Sequence, residues 1–259
     1  MHPYLLTPMK YHLLLFCFVS FLPVTAQKGV RESCEVTTPP VIDGIIDPNE
    51  WSSDWNVDSD GKFLYSVCND AENLYIRLKI SDDLTQQKIA LFGLSVKFAL
   101  DGRKKGKLGL KYPVGKDESE LKNMKPVELP DAASRDAYKR VLLSEVEVLE
   151  LLGLAKQSIV SSRLGLLNGI QVFISPNAEA AYVYEAKIPF KAFKIDKTTS
   201  PILGITIETG KQIITTQSTP QNPQQQGQPG QRGFGQTGYG RNYSEMSIPG
   251  YMWVAVKLK

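Results

Sequence analysis

Residues 74–80, LYIRLKI, alternate strictly, with Leu74, Ile76, Leu78 and Ile80 on one side and Tyr75, Arg77 and Lys79 on the other. A period of two puts alternate side chains on opposite faces of an extended chain, so this stretch demands a strand rather than an amphipathic helix. Residues 63–68 and the turn Asn69-Asp70-Ala71-Glu72-Asn73 precede it, which predicts a half-buried antiparallel hairpin. The same period returns at 94–100 and 108–114, around the charged turn DGRKKGK, and again at 170–174, 180–188 and 202–209. It closes the chain at 251–259, YMWVAVKLK, where Met252, Val254, Val256 and Leu258 share one face and Trp253 takes the other. The Arg103, Lys104, Lys105 and Lys107 run reads as a solvated turn between two strands.

Two stretches depart from this pattern. Residues 131–153 carry helix formers with Leu and Val at three- and four-residue spacing, which predicts a helical insertion on a β scaffold. Residues 216–240 are rich in Gln, Gly and Pro, a composition that cannot bury enough apolar area to offset its own ordering, so a long low-complexity loop is expected.

The first 26 residues combine Lys10, an apolar run and a small-residue Val24-Thr25-Ala26 site, the signature of a cleaved secretory signal peptide. The apolar run is too short to span a bilayer, so no membrane span is expected after cleavage. The expectation is one exported domain over 27–259, secreted, periplasmic or displayed at the cell surface. Both histidines, His2 and His12, fall in the segment removed. Histidine-dependent nucleophilic catalysis and His-ligated zinc or haem are thereby excluded from the mature chain. No carboxylate pair stands out for acid–base chemistry, and a non-catalytic protein is expected. A net charge of +3 over the whole chain argues against a nucleic-acid or acidic-polymer partner.

Cys34 and Cys68 remain, and an exported protein with a lone pair pairs them by default, two buried free thiols being the alternative. A disulfide there closes about 34 residues and contributes on the order of 3 to 4 kcal/mol by loop-closure entropy.

Residues 41–55, VIDGIIDPNEWSSDW, read as a strand, an Asp43-Gly44 turn and a short helical cap. Asp47 stands at the N-cap, Pro48 follows, and Glu50 completes an acidic capping box. Ile46 and Trp51 occupy the positions of a hydrophobic staple, so Trp51 is expected to plug one end of a barrel or sandwich.

This "IDG…W" followed by Asp70-Ala71-Glu72-Asn73-Leu74-Tyr75 and Asp82-Asp83 resembles the carbohydrate-binding module family 9-like domains, relatives of the DOMON sandwich. YEAKIPF (184–190), GITIE (204–208) and WVAVKLK (253–259) resemble that family's last strands, with 115–168 and 216–245 as insertions. The resemblance implies an all-β, two-sheet antiparallel β-sandwich, often calcium-stabilised, whose sugar-binding members clamp a terminal sugar between tryptophans. Sugar binders of the family carry a Trp and then a "D-S-V-E-hydrophobic" strand. Here Leu94-Ser95-Val96-Lys97-Phe98 puts Lys97 at the acid, and aliphatic residues near Leu91 stand in place of the Trp.

Stacking on a sugar needs aromatic faces and a few planar polar groups. The candidates are Trp55, Trp253 and Tyr243 for the first, and Lys97, Lys111 and Glu208 for the second. The long loop adds Arg232, Phe234, Tyr239 and Arg241. Asp58 and Asp60, in Asp58-Ser59-Asp60-Gly61, are the candidate calcium ligands. Two further readings stand beside a glycan binder: a cell-envelope structural or interaction protein that keeps the fold without the sugar site, and a haem protein using Met124, Met246 or Met252 with a lysine.

Overall fold

The computed structural model describes residues 29–259 apart from 52, 61, 125–129, 145, 155–158, 162–167 and 214–244. The segment read as a signal peptide, the low-complexity loop at 216–240 and Tyr243 therefore lie outside the described residues.

The strands are β1 Arg31–Glu32, β2 Cys34–Glu35, β3 Asn56–Val57, β4 Leu64–Asn69, β5 Asn73–Ile80, β6 Leu94–Ala99, β7 Leu108–Lys111, β8 Val148–Leu152, β9 Ile159–Ser161, β10 Gln171–Pro176, β11 Tyr182–Pro189, β12 Ile202–Thr209 and β13 Tyr251–Lys257. Sheet A runs β1-β13-β12-β6-β7-β8-β9, and sheet B runs β10-β11-β5-β4-β2 with β3 added to β4. Facing apolar rows make the core between them: Leu74, Ile76, Leu78 and Ile80 with Tyr182 and Tyr184 from sheet B, against Val96, Phe98, Leu203, Ile205, Ile207 and Val254 from sheet A. Each fully buried Leu or Ile contributes about 1.5 to 3 kcal/mol by transfer from water, and the period-two pattern is what delivers them all to one side.

This is the expected β-sandwich, antiparallel throughout except where the N-terminal segment adds short parallel contacts, β1 on β13 and β2 on β4. Among the described residues the α-helices are α1 Asp83–Phe92, α2 Glu118–Asn123 and α3 Ala132–Ser144, and Phe190–Phe193 form a 3-10 turn. Among the described residues no helix is long and apolar enough to cross a membrane.

Two sequence expectations are corrected, and one helix is new. The helical insertion ends at Ser144, and residues 148–152, expected to continue it, form β8, paired to β7 and β9. Val148 is a β-former, the alternation buries Leu149 and exposes Val148, and sheet pairing prevails over helix propensity there. Helix α1 was not foreseen; Asp82 caps it by accepting from the Thr85 backbone N–H at 2.8 Å. The β4–β5 hairpin is buried on both faces: Tyr75 is 0% and Arg77 4% exposed, because residues 34–55 cover their side.

The Tyr184 side chain is fully buried, and its hydroxyl has no hydrogen-bond partner among the described residues. A buried unmatched hydroxyl costs about 1 to 3 kcal/mol. Tyr184→Phe is accordingly expected to raise stability by about 1 kcal/mol in thermal unfolding; a fall in the melting temperature would mean that the hydroxyl is satisfied.

Candidate functional site

The motif at 41–55 lies across the outer face of sheet B rather than plugging an end. Glu185 of β11 and Arg77 of β5 stand opposite each other on that face. The Glu185 carboxylate accepts from the backbone N–H of Gly44 at 2.9 Å and Asp43 at 3.2 Å, and from the Trp51 indole N–H at 3.2 Å. Gly44 takes φ +77°, where a Cβ would come within 2.6 Å of Phe173, so the turn needs glycine twice over. The Arg77 guanidinium lies between two indoles, 4.9 Å from the Trp51 centroid and 4.2 Å from that of Trp55, and donates to the Ser53 carbonyl.

The helical cap and staple are not formed. Asp47 Oδ1 accepts from Asn49 N at 2.8 Å, which closes a turn instead. Trp51 packs on Cys68, Tyr75, Cys34, Val36 and Ile42, without Ile46. Burial raises the Glu185 carboxyl's pKa against the N–H bonds from Gly44 and Asp43, and burial lowers that of Arg77 against the charge of Glu185. Trp55, half-buried, stacks on Arg77, whose Nε has no hydrogen-bond partner among the described residues.

Four other candidates gather on the outer face of sheet A. The ladder registers Trp253 with Thr206 and Thr206 with Lys97 in one rung, and Glu208 with Ser95 and Ser95 with Lys111 in the next. Residues one apart in a strand point oppositely and residues two apart agree, so Lys97, Lys111, Glu208 and Trp253 all face outward. Lys97 Nζ donates to Glu208 Oε2 at 2.7 Å, with about a third of each side chain exposed.

The turn between β6 and β7, read as merely solvated, folds back over this face. Its side chains at Arg103, Lys104 and Lys105 are exposed, but its backbone is engaged. Trp253 Nε1 donates to the Arg103 carbonyl at 3.2 Å and Thr206 Oγ1 to that of Lys104 at 2.8 Å. Gly204 permits the approach, since a Cβ there would stand 2.1 Å from the Arg103 oxygen. Lys104 Nζ sits 5.4 Å from the Trp253 centroid, and the half-buried indole borders an open cleft of about 500 Å³ with Asp101, Arg103 and Lys105.

No protein-family model matches this chain, and comparison with curated proteins finds no match. Among solved structures it is similar to a carbohydrate binding module family 9 domain from Caldicellulosiruptor kristjanssonii in complex with cellotriose, at 10% identity and a TM-score of 0.40, covering 88% of this chain and 93% of that one. A family 9 module from the same organism in complex with glucose gives 12% identity and a TM-score of 0.38, covering 88% and 96%. A likeness this distant carries no ligand and no site residue onto the chain. The relation to DOMON domains remains an expectation from the sequence motifs.

Asp58 is committed to its own turn. Its two carboxylate oxygens accept from Phe63 N at 2.8 Å and Asp60 N at 3.2 Å, while Asp60 is exposed. Among the described residues no group of three His, Cys, Asp or Glu side chains could hold a metal ion. Met252 is packed into the core, 4% exposed, and Met124 and Met246 are half-buried. A cleft of about 700 Å³ lies elsewhere, lined by Glu72, Asn73, Lys187, Pro189 and Phe190; its aromatic ring is buried and gives a sugar no platform.

Proposed function

We propose that this protein is an exported, non-catalytic β-sandwich that binds a glycan on the outer face of sheet A. Trp253 supplies the stacking surface, and the Lys97 and Glu208 pair supplies hydroxyl contacts. The observation that carries the reading is the convergence of an aromatic ring and a partly exposed charge pair, on three adjacent strands, into two successive rungs of one face. Sugars present apolar C–H faces between hydroxyls, and such sites combine a flat ring with a few directed polar groups. The pair keeps spare capacity: an ammonium has three donors, and a carboxylate has about four acceptor positions.

A second reading, an envelope interaction protein that keeps the fold without the sugar site, is favoured by Lys104, which stands over the Trp253 ring where a sugar would stack. The Trp253→Ala variant separates the two. On the glycan reading it loses at least about thirty-fold in affinity on a glycan array, the effect of removing a central aromatic anchor, while its thermal unfolding stays close to that of the unsubstituted protein. An array with no binding to any glycan by the folded protein leaves the interaction reading instead.

A further inference from the structure

Charge on the outer face of sheet A is not balanced as it is over the whole chain. At one end of the face, the open cleft under the β6–β7 turn is bordered by Lys104 and Lys105 beside Trp253. At the other end, a cleft of about 460 Å³ is lined by Lys111, Lys116, Lys122 and Lys211, with Phe92 and Leu121 as apolar walls. These lysines come from separate parts of the chain, from β7, the segment after it, α2 and the stretch after β12, so the fold and not a run of sequence assembles them.

The acids on this face are largely taken. Asp101 pairs with Arg103 at 2.6 Å, Glu208 with Lys97 at 2.7 Å and Glu118 with Lys122 at 2.7 Å. Among the described residues Lys104, Lys105, Lys111 and Lys211 are in no ion pair. Glu150 stands across the ladder from Lys111 and offsets one of these charges. Three strand spacings separate the strand of Trp253 from that of Lys111, about 14 Å at the usual inter-strand distance. That is the reach of a short oligosaccharide, with unpaired ammonium groups at both ends and the indole at one of them.

We propose, resting on the glycan reading above, that the ligand is an acidic glycan, one whose sugars carry carboxylate or sulfate groups, lying along sheet A from the β6–β7 turn to the Lys111–Lys211 cleft. Burial lowers the pKa of Lys111, opposed by Glu150 and reinforced by Lys97, and a bound anion relieves that cost. The small net charge of the chain does not oppose the proposal, since net charge governs the distant field, and within a Debye length of roughly 8 to 10 Å a ligand senses the local groups.

The test is affinity electrophoresis of the purified full chain against matched polymers: polygalacturonate and its methyl ester, and dextran sulfate and dextran, with oligothymidylate alongside. One acidic polymer is expected to retard the protein at least about tenfold more strongly than its neutral counterpart, and added salt should weaken the retardation. Which acidic polymer does so separates carboxylate from sulfate. Lys104→Gln with Lys105→Gln, and separately Lys111→Gln with Lys211→Gln, should each lower the affinity by about tenfold. The first pair is exposed, and thermal unfolding of that variant, expected to match the parent, separates lost binding from misfolding.

Equal binding of neutral and acidic members, lost on Trp253→Ala and untouched by the lysine variants, overturns the acidic ligand and leaves the glycan site standing. Oligothymidylate binding tighter than every polysaccharide overturns it in favour of nucleic acid. Silence of every polymer with the folded protein overturns both this inference and the glycan reading.

Discussion

Glu185→Ala is expected to lower stability by about 3 to 5 kcal/mol, as several N–H donors lose their acceptor at roughly 1 to 3 kcal/mol for each buried one. The carboxylate is 0% exposed and accepts three N–H bonds, from Asp43, Gly44 and Trp51, while facing Arg77. Its loss leaves those donors unmatched and strands a buried guanidinium, and the motif at 41–55 comes free of sheet B. For a chain of this size the melting temperature should fall by about 10 °C. Glu185→Gln keeps the shape and an acceptor and should lose less.

The two variants also differ from the unsubstituted protein in pH dependence. The folded pKa of Glu185 is raised, so the fold takes up its proton more readily than the unfolded chain does. That contribution is fully present below the unfolded glutamate pKa and is lost as pH rises through the folded one. Stability profiles of the parent and the Gln variant should therefore differ in slope within that window and run parallel outside it. An Ala variant within about 1 kcal/mol of the parent would show that the motif does not depend on this carboxylate.

Reducing the Cys34–Cys68 disulfide, or replacing both cysteines with serine, is expected to cost about 3 to 4 kcal/mol. The bond joins β2 to β4 at a separation of 34 residues and lies in the cluster formed with Trp51 and Tyr75. Breaking it frees the N-terminal segment in the unfolded ensemble and also loosens the layer that buries Arg77. Urea unfolding with and without reductant measures this; coincident midpoints would mean that packing alone holds the segment.

These two effects meet in the stretch whose role was hardest to read. Residues 41–55 marked the fold by their resemblance, and their local chemistry suggested a helix cap and an end plug. The true anchor, Glu185, lies 141 residues from Gly44, and no local pattern announces such a partner. The alternation at 74–80 predicted which residues enter the core, and Leu74, Ile76, Leu78 and Ile80 are all there. It could not predict that the opposite side is covered as well, because a charged residue in a strand looks the same whether it faces water or two indoles. The local signal for α1 is Asp82 followed by Thr85, an N-cap spacing.

By itself the sequence determined what depends on neighbours along the chain: the β character, the apolar face of each strand, the two hairpins and the one cysteine pair available after residue 26. Side-chain alternation and turn chemistry act over a few residues, so they are legible there. The tertiary structure alone decided what depends on register between distant strands. It placed Trp253, Lys97, Glu208 and Lys111 on one face and Trp55 on the other sheet, and it laid the charged turn over the indole. It also concentrated unpaired lysines at both ends of a surface whose chain-wide charge is only +3, because composition averages over every face while a ligand meets one.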